Sequence, residues 1–226
     1  MAEVLIIGSG VSGLAAGVRL AQAGHHVRIL ERGPRAGGRC YSYRDEEAGD
    51  IVDNGQHVLV GAYANTRSYL RLIGSDHLLR AYREIPFHLR GRGLAALRIG
   101  SWPAPFHLVG ALLRYDHLSV PERLALLRVG AALQFWDGRS ASFPHRESAR
   151  AWLASLGQAD AALERLWVPL CVSVMNERPE RASALLFARA LRSTFLGSAD
   201  DASLLIPTVG QTELYVDPAR ALLERL

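Results

Sequence analysis

Gly8, Gly10 and Gly13 stand in the spacing G-x-G-x-x-G directly after an apolar run at residues 4 to 7, and Glu31 follows eighteen residues after the last glycine. Residues of these types in this order suit the holding of a nucleotide. A glycine at Gly8 allows a sharp turn, one at Gly10 lets a diphosphate approach the backbone, and one at Gly13 lets a helix pack closely on a strand. Ser9 sits inside that turn. The first N–H groups of the helix are unpaired and lie at the positive end of its dipole, so they complement phosphate charge. A carboxylate at Glu31 is placed to accept hydrogen bonds from the two ribose hydroxyls of an adenosine, and it argues against a 2′-phosphate.

These residues need particular elements around them. The continuous apolar run 4 to 7 reads as a strand buried on both faces of a parallel sheet. Leu14, Val18 and Ala21 recur at helical spacing, Gly24 ends that helix, and residues 26 to 30 form a second strand. Further on, Asp53, Asn54, Gly55, Gln56 and His57 gather polar side chains around a glycine, as in a turn that approaches a ligand. Gln56 and His57 are candidates to hydrogen-bond that ligand or to hold a proton, with a histidine satisfied by a core hydrogen bond as the alternative.

Beyond Tyr63 the pattern turns helical. Helices are expected over residues 64 to 73, stopped at Gly74, and from the capping box at Ser119 and Glu122 to about residue 133. Two more are expected over residues 146 to 156 and 179 to 194. Residues 102 to 118 carry a dense apolar run that reads as an interfacial helix, the wall of an apolar tunnel, or an ordinary core helix. Residues 165 to 176 are apolar with little helical periodicity, and Trp167 and Cys171 there line a pocket or belong to plain core. The expectation is an α/β protein: residues 1–63 begin a nucleotide-binding domain with a parallel sheet, 64–200 form a mostly helical insertion, and 201–226 return to the first domain.

Composition narrows the classes further. With 49% hydrophobic and 21% charged residues the chain has the balance of a packed protein, not a disordered one. All 26 basic residues are arginine, and the formal charge of +4 gives a weak pull toward anionic lipid or a polyanionic cofactor. No basic run with interleaved aromatics is present, which argues against nucleic acid. Cys40 and Cys171 form neither a C-x-x-C pair nor a disulfide framework, so a reducing cytoplasm is expected. The first residues do not read as a secretory signal, and no run approaches the about 18 apolar residues of a spanning helix. Membrane contact, if made, is expected to be peripheral, on the inner face of the cytoplasmic membrane. Metal-ligand spacings and a hydrolase G-x-S-x-G are also absent from the sequence.

Gly37, Gly38 and Arg39 resemble the second signature of the amine oxidase and phytoene desaturase group of flavoproteins, and residues 50 to 63 resemble the strand and turn that pass beside the flavin there. The resemblance implies FAD rather than NAD, with contacts at Gly8, Ser9, Gly10, Gly13, Glu31, Arg32, Gly38, Arg39, Gly55 and Gln56. Pro207 and Gly210 match the P-x-x-G turn of the return segment, where Gln211 replaces the second glycine usual in carotenoid desaturases. "DNGQHVLVGAY", "WVPLC", "PERASALLFARALRSTF" and "PTVGQTELYVDPA" are similar to the squalene-associated FAD-dependent desaturases, the hydroxysqualene dehydroxylases of bacterial hopanoid synthesis. That family replaces the hydroxyl of a C30 isoprenoid alcohol by hydrogen. The implied partners are an isoprenoid lipid substrate, an anionic membrane surface and upstream enzymes of squalene synthesis, and the implied acid is His57. A polyene desaturase or amine oxidase of the same group is the alternative, as is a non-catalytic fragment that binds lipid or a partner. Because family members extend past residue 226, the sheet and the FAD site are expected to be incomplete here.

Overall fold

The computed structural model describes residues 1–55, 58–139, 142–143 and 147–226. Two compact units divide the chain, one of residues 1–59, 63–81 and 205–226, the other of residues 60–62 and 82–204.

In the first unit, β1 (Glu3–Ile7) leads into α1 (Val11–Gln22) and β2 (His26–Leu30), and the two strands pair in parallel with Val4 opposite Val27 and Ile6 opposite Ile29. A β-α-β crossover of this kind lets α1 cover one face of the pair. Among the described residues the other face is open, where the sequence predicts a strand buried on both faces. Side chains alternate along both strands, so Val4, Ile6, Val27 and Ile29 are half-buried while Leu5, Ile7 and Leu30 face outward. β3 (Ser42–Arg44) and β4 (Ile51–Asp53) form an antiparallel pair. β5 (Leu59–Val60) begins a three-stranded sheet of order β5-β9-β6 with β9 (Leu204–Pro207) and β6 (Leu79–Tyr82). α2 (Ala64–Ile73) stops at Gly74 with a φ of 83°, as its sequence predicts, yet it belongs to this unit and not to the insertion. A one-turn π-helix, Thr212–Val216, runs into α9 (Asp217–Leu223), and the core gathers Leu14, Val18, Leu70, Leu214 and Tyr215.

The second unit opens on a hairpin that helical patterning did not reveal, β7 (Glu84–Leu89) and β8 (Gly93–Arg98), turning through Gly91 and Gly93 at positive φ. Of residues 102 to 118 only α3 (Phe106–Leu113) is α-helical. α4 (Val120–Phe135) carries the capping box, with the Ser119 backbone and hydroxyl both donating to Glu122 Oε2, at 2.7 and 2.8 Å. α5 (Ala149–Ser155) and α8 (Ala184–Phe195) start at Ser148 and Ser183, whose hydroxyls cap them, each later than its expected start. Between them lie the short α6 (Asp160–Ala162), a π-helical turn Leu163–Trp167 and α7 (Val168–Met175). This continuous helical stretch showed no clean 3.6 period because the core takes it up on several sides, with Leu163, Leu166, Trp167, Leu170 and Cys171 all buried. Its break from α to π geometry falls just before Pro169, which has no N–H to lose.

Candidate nucleotide site

The glycine loop holds the geometry that its spacing foretold. Gly8 turns with φ 95°, and a β-carbon on Gly13 would collide with the Gly8 carbonyl oxygen, so the helix approaches the strand only because Gly13 lacks one. At Gly10 the situation differs. Its φ of −62° suits any residue, and an added β-carbon would meet no atom within 4 Å, so nothing in the protein itself requires glycine there. The open space beside Gly10 is the room a bound diphosphate needs. Gly10 is also the N-cap of α1, with no side-chain cap and no acidic residue in the first turn, which leaves backbone donors and the dipole available to an anion.

Glu31 is tied to this loop. Ser9 donates to Glu31 Oε2 twice, from its backbone N–H at 2.9 Å and its hydroxyl at 2.7 Å, while the Gly33 N–H donates to Oε1 at 2.8 Å. The Gly33 bond, then the two from Ser9, hold the carboxyl near pKa 2, well below its usual value. An ionised carboxylate offers about four acceptor positions, so three donors leave room for a ribose hydroxyl. A cleft of about 490 Å³ opens beside it, lined by Val27, Ile29, Ala36 and Leu223 as well as Ser9 and Glu31. His25, His26, Arg220 and Glu224 line it too, and the mixed walls suit an adenosine, the purine against the apolar side chains and the ribose at the carboxylate.

The second glycine signature packs on the first. Gly37 donates its N–H to the Ser9 carbonyl at 2.9 Å and forms a parallel bridge with Gly10, and a β-carbon on Gly38 would lie 3.2 Å from the Gly10 Cα. Arg39 is exposed and accepts a bond from Asn54 Nδ2 at its carbonyl, at 3.0 Å, and Arg32 is exposed beside Glu31. Burial raises the Cys40 thiol, and it pushes Cys171 up to about 11, so neither is a ready thiolate nucleophile.

Sequence reading missed a clasp that holds the turn at residues 53 to 55. Asp53 Oδ1 accepts from the Ser42 hydroxyl at 2.7 Å and the Gln211 N–H at 2.9 Å, and the Ser42 N–H donates to Thr212 Oγ1 at 2.8 Å. The Gln211 side-chain amide donates to the Gly55 carbonyl at 2.6 Å. Gln211 is 1% exposed, and its Oε1 has no partner among the described residues. The departure from glycine at 211 was the one sequence signal of this role. Gln56 and His57, the proposed flavin contact and acid, lie outside the described residues. Among the described residues no three His, Cys, Asp or Glu side chains gather as a metal site, and no helix is long and apolar enough to cross a membrane.

The residues present therefore fit a dinucleotide diphosphate, and comparison with known proteins agrees. Residues 11–205 match the flavin containing amine oxidoreductase family. Hydroxysqualene dehydroxylases of Zymomonas mobilis and Rhodopseudomonas palustris are 30% and 31% identical over 97% and 96% of the chain. A zeta-carotene desaturase of Zea mays is 27% identical over 95% of the chain and 39% of its own length. The chain spans about half the length of the hydroxysqualene dehydroxylases it matches, 50% of each. Among solved structures, an oxidoreductase from Methanosarcina mazei superposes with a TM-score of 0.67 at 18% identity, over 100% of this chain and 49% of that one. Cyclohexylamine oxidase from Brevibacterium oxydans does so with a TM-score of 0.63 at 19% identity, over 97% and 49%.

Proposed function

The chain belongs to the flavin-containing amine oxidoreductase family, whose cofactor is FAD, and from that premise we propose that it serves the reductive dehydroxylation of hydroxysqualene to squalene. The observation that carries this reading is the 30% and 31% identity to bacterial hydroxysqualene dehydroxylases, which runs through the helical unit as well as the glycine loop.

FAD, when bound and reduced, supplies a hydride. The chain's own contribution begins with the loop from Gly8 to Gly13, together with Glu31, Gly38 and Arg39, which hold the dinucleotide. Gln211, through Gly55, fixes the turn that leads to Gln56 and His57. Departure of an allylic hydroxyl leaves a delocalised cation, which the protein must shield from water while it orients a long hydrocarbon. Leu108, Leu112, Leu126, Leu133 and Trp167 line an apolar cavity of about 60 Å³ in the second unit, which has the chemistry for such a chain and room for only a few of its carbons. His57 is proposed as the acid that protonates the departing oxygen. A peripheral place on the inner face of the cytoplasmic membrane fits a substrate of this kind.

A second reading, desaturation of a polyene, draws on the match to zeta-carotene desaturase. Anaerobic incubation of the FAD-loaded protein with a reductant and hydroxysqualene, set beside zeta-carotene and amines under oxidising conditions, separates the two. Squalene formation supports the dehydroxylase, and turnover confined to the carotene or an amine overturns it.

A further inference from the structure

Two neighbouring helices of the second unit are apolar on both sides, and among the described residues the protein covers only one of them. On α3, Leu108, Ala111 and Leu112 point inward, while Phe106, Val109, Gly110 and Leu113 occupy about 100° of arc on the other side. On α4, Leu126, Val129 and Leu133 point inward, while Val120, Leu124, Ala131 and Phe135 fall within about 80° of arc opposite them. α3 and α4 pack against each other. Their outer residues are open to solvent, with Phe106 at 60%, Val120 at 65%, Leu124 at 52% and Phe135 at 87%, and Trp102 just before α3 stands at 70%. A helix with a second apolar side that stays exposed is matched to an apolar medium on that side.

The charges around this surface select the medium. Arg114 ends α3 and Arg128 borders the outer stripe of α4; both are exposed and neither makes an ion pair among the described residues. The nearby acids are engaged, Glu122 by Ser119 and Asp116 with Arg123 at 3.8 Å. Exposed aromatic and aliphatic side chains with unpaired arginines at their margin are the composition of an interfacial helix on an anionic bilayer. The inner faces of the same two helices line the apolar cavity described above, so the apolar side chains that point outward are surplus to the core.

We propose that the outer face of α3 and α4, with Trp102, Phe106, Leu113, Val120 and Leu124, is a membrane seat that sinks into an anionic leaflet. The seat stands on the surface itself and does not depend on the assigned reaction.

The test is vesicle binding by the chain, which needs no turnover and so fails independently of the assigned reaction. Trp136, Trp152 and Trp167 are buried, so Trp102 is the tryptophan that reports the surface. The expected result is flotation with vesicles of phosphatidylglycerol and phosphatidylcholine, with quenching of Trp102 by brominated acyl chains that is lost in Trp102→Phe. Phe106→Asp combined with Leu124→Asp lowers the affinity at least tenfold. Arg114→Gln and Arg128→Gln each lower it about fivefold on anionic vesicles, the factor for one charge near such a surface, and leave the affinity for pure phosphatidylcholine vesicles unchanged. Absence of flotation, flotation with Trp102 unquenched, or undiminished binding by the aspartate variant overturns the seat. A dimer in sedimentation that the aspartate variant dissociates overturns it as well, since the face would then belong to a second copy. The quenching measurement uses the unaltered protein, so the test stands even if the aspartate variant does not fold.

Discussion

Ser9 and Glu31, twenty-two residues apart, are joined by two hydrogen bonds to one oxygen, the Ser9 backbone N–H and hydroxyl both donating to Glu31 Oε2. The glycine loop and the end of β2 are thereby one rigid unit before any nucleotide arrives. A preformed site loses less freedom on binding than one that must be assembled.

Replacing that carboxylate should weaken the cofactor without unfolding the protein. Glu31→Gln keeps the shape but loses a charged acceptor for a ribose hydroxyl, so FAD affinity should fall by about tenfold or more. Titration of the apoprotein with FAD, followed by flavin fluorescence, checks this. Because the folded pKa lies near 2, below the ordinary 4.5, the stability that Glu31 contributes is fully present above the ordinary value and is lost only as pH falls through the folded one. Acid unfolding between those two values should be displaced upward in Glu31→Gln.

Two glycines of the loop should respond in opposite ways to the same added methyl group. In Gly13→Ala the new carbon meets the Gly8 carbonyl, and overpacking of this kind costs about 1–3 kcal/mol, read as a lower thermal midpoint of the apoprotein. Gly10→Ala meets no protein atom, so its apoprotein should melt within about 0.5 kcal/mol of the parent. Its FAD affinity should nonetheless fall more than tenfold on the same titration if, as proposed, the diphosphate takes the space beside Gly10 that the methyl group would fill.

Gln211 should prove structural and local at once. Gln211→Leu leaves the exposed Gly55 carbonyl to water, and the loss of one hydrogen bond costs about 0.5–1.5 kcal/mol. At about 2–4 °C per kcal/mol for a chain of this size, the midpoint should drop by a few degrees. Hydrogen exchange should rise at Asn54 and Gly55 and stay unchanged in α1.

A buried histidine sets a further pH dependence. Burial holds the His107 imidazole below its ordinary value of 6.5, against the Phe195 and Pro103 carbonyls and Asp201, which favour the charged form. Below 6.5 the unfolded chain binds more protons at this site than the folded one, so the stability contribution is complete above that pH and declines beneath it. Thermal midpoints measured between pH 7.5 and 5.5 should fall with acid, and His107→Leu should flatten the slope in that window.

The sequence by itself determined the elements whose causes are local. The β-α-β crossover, the turn at Gly8, the stops at Gly24 and Gly74 and the capping box at Ser119 all lie within a few residues of the glycines or hydroxyls that produce them. The place of Glu31 at the end of β2 follows from the same short stretch. Only the tertiary structure decided what faces what. It left Leu5, Ile7 and Leu30 open where a continuous apolar run suggested burial, and it wrapped residues 163 to 175 into a helix whose period was hidden by burial on several sides. It brought Ser42 to Thr212 across 170 residues and Asp53 to Gln211 across 158. The physical reason is that propensity and turn chemistry act over one or two turns of chain. Burial and long-range hydrogen bonds depend on where the rest of the chain returns, and no local pattern encodes that return.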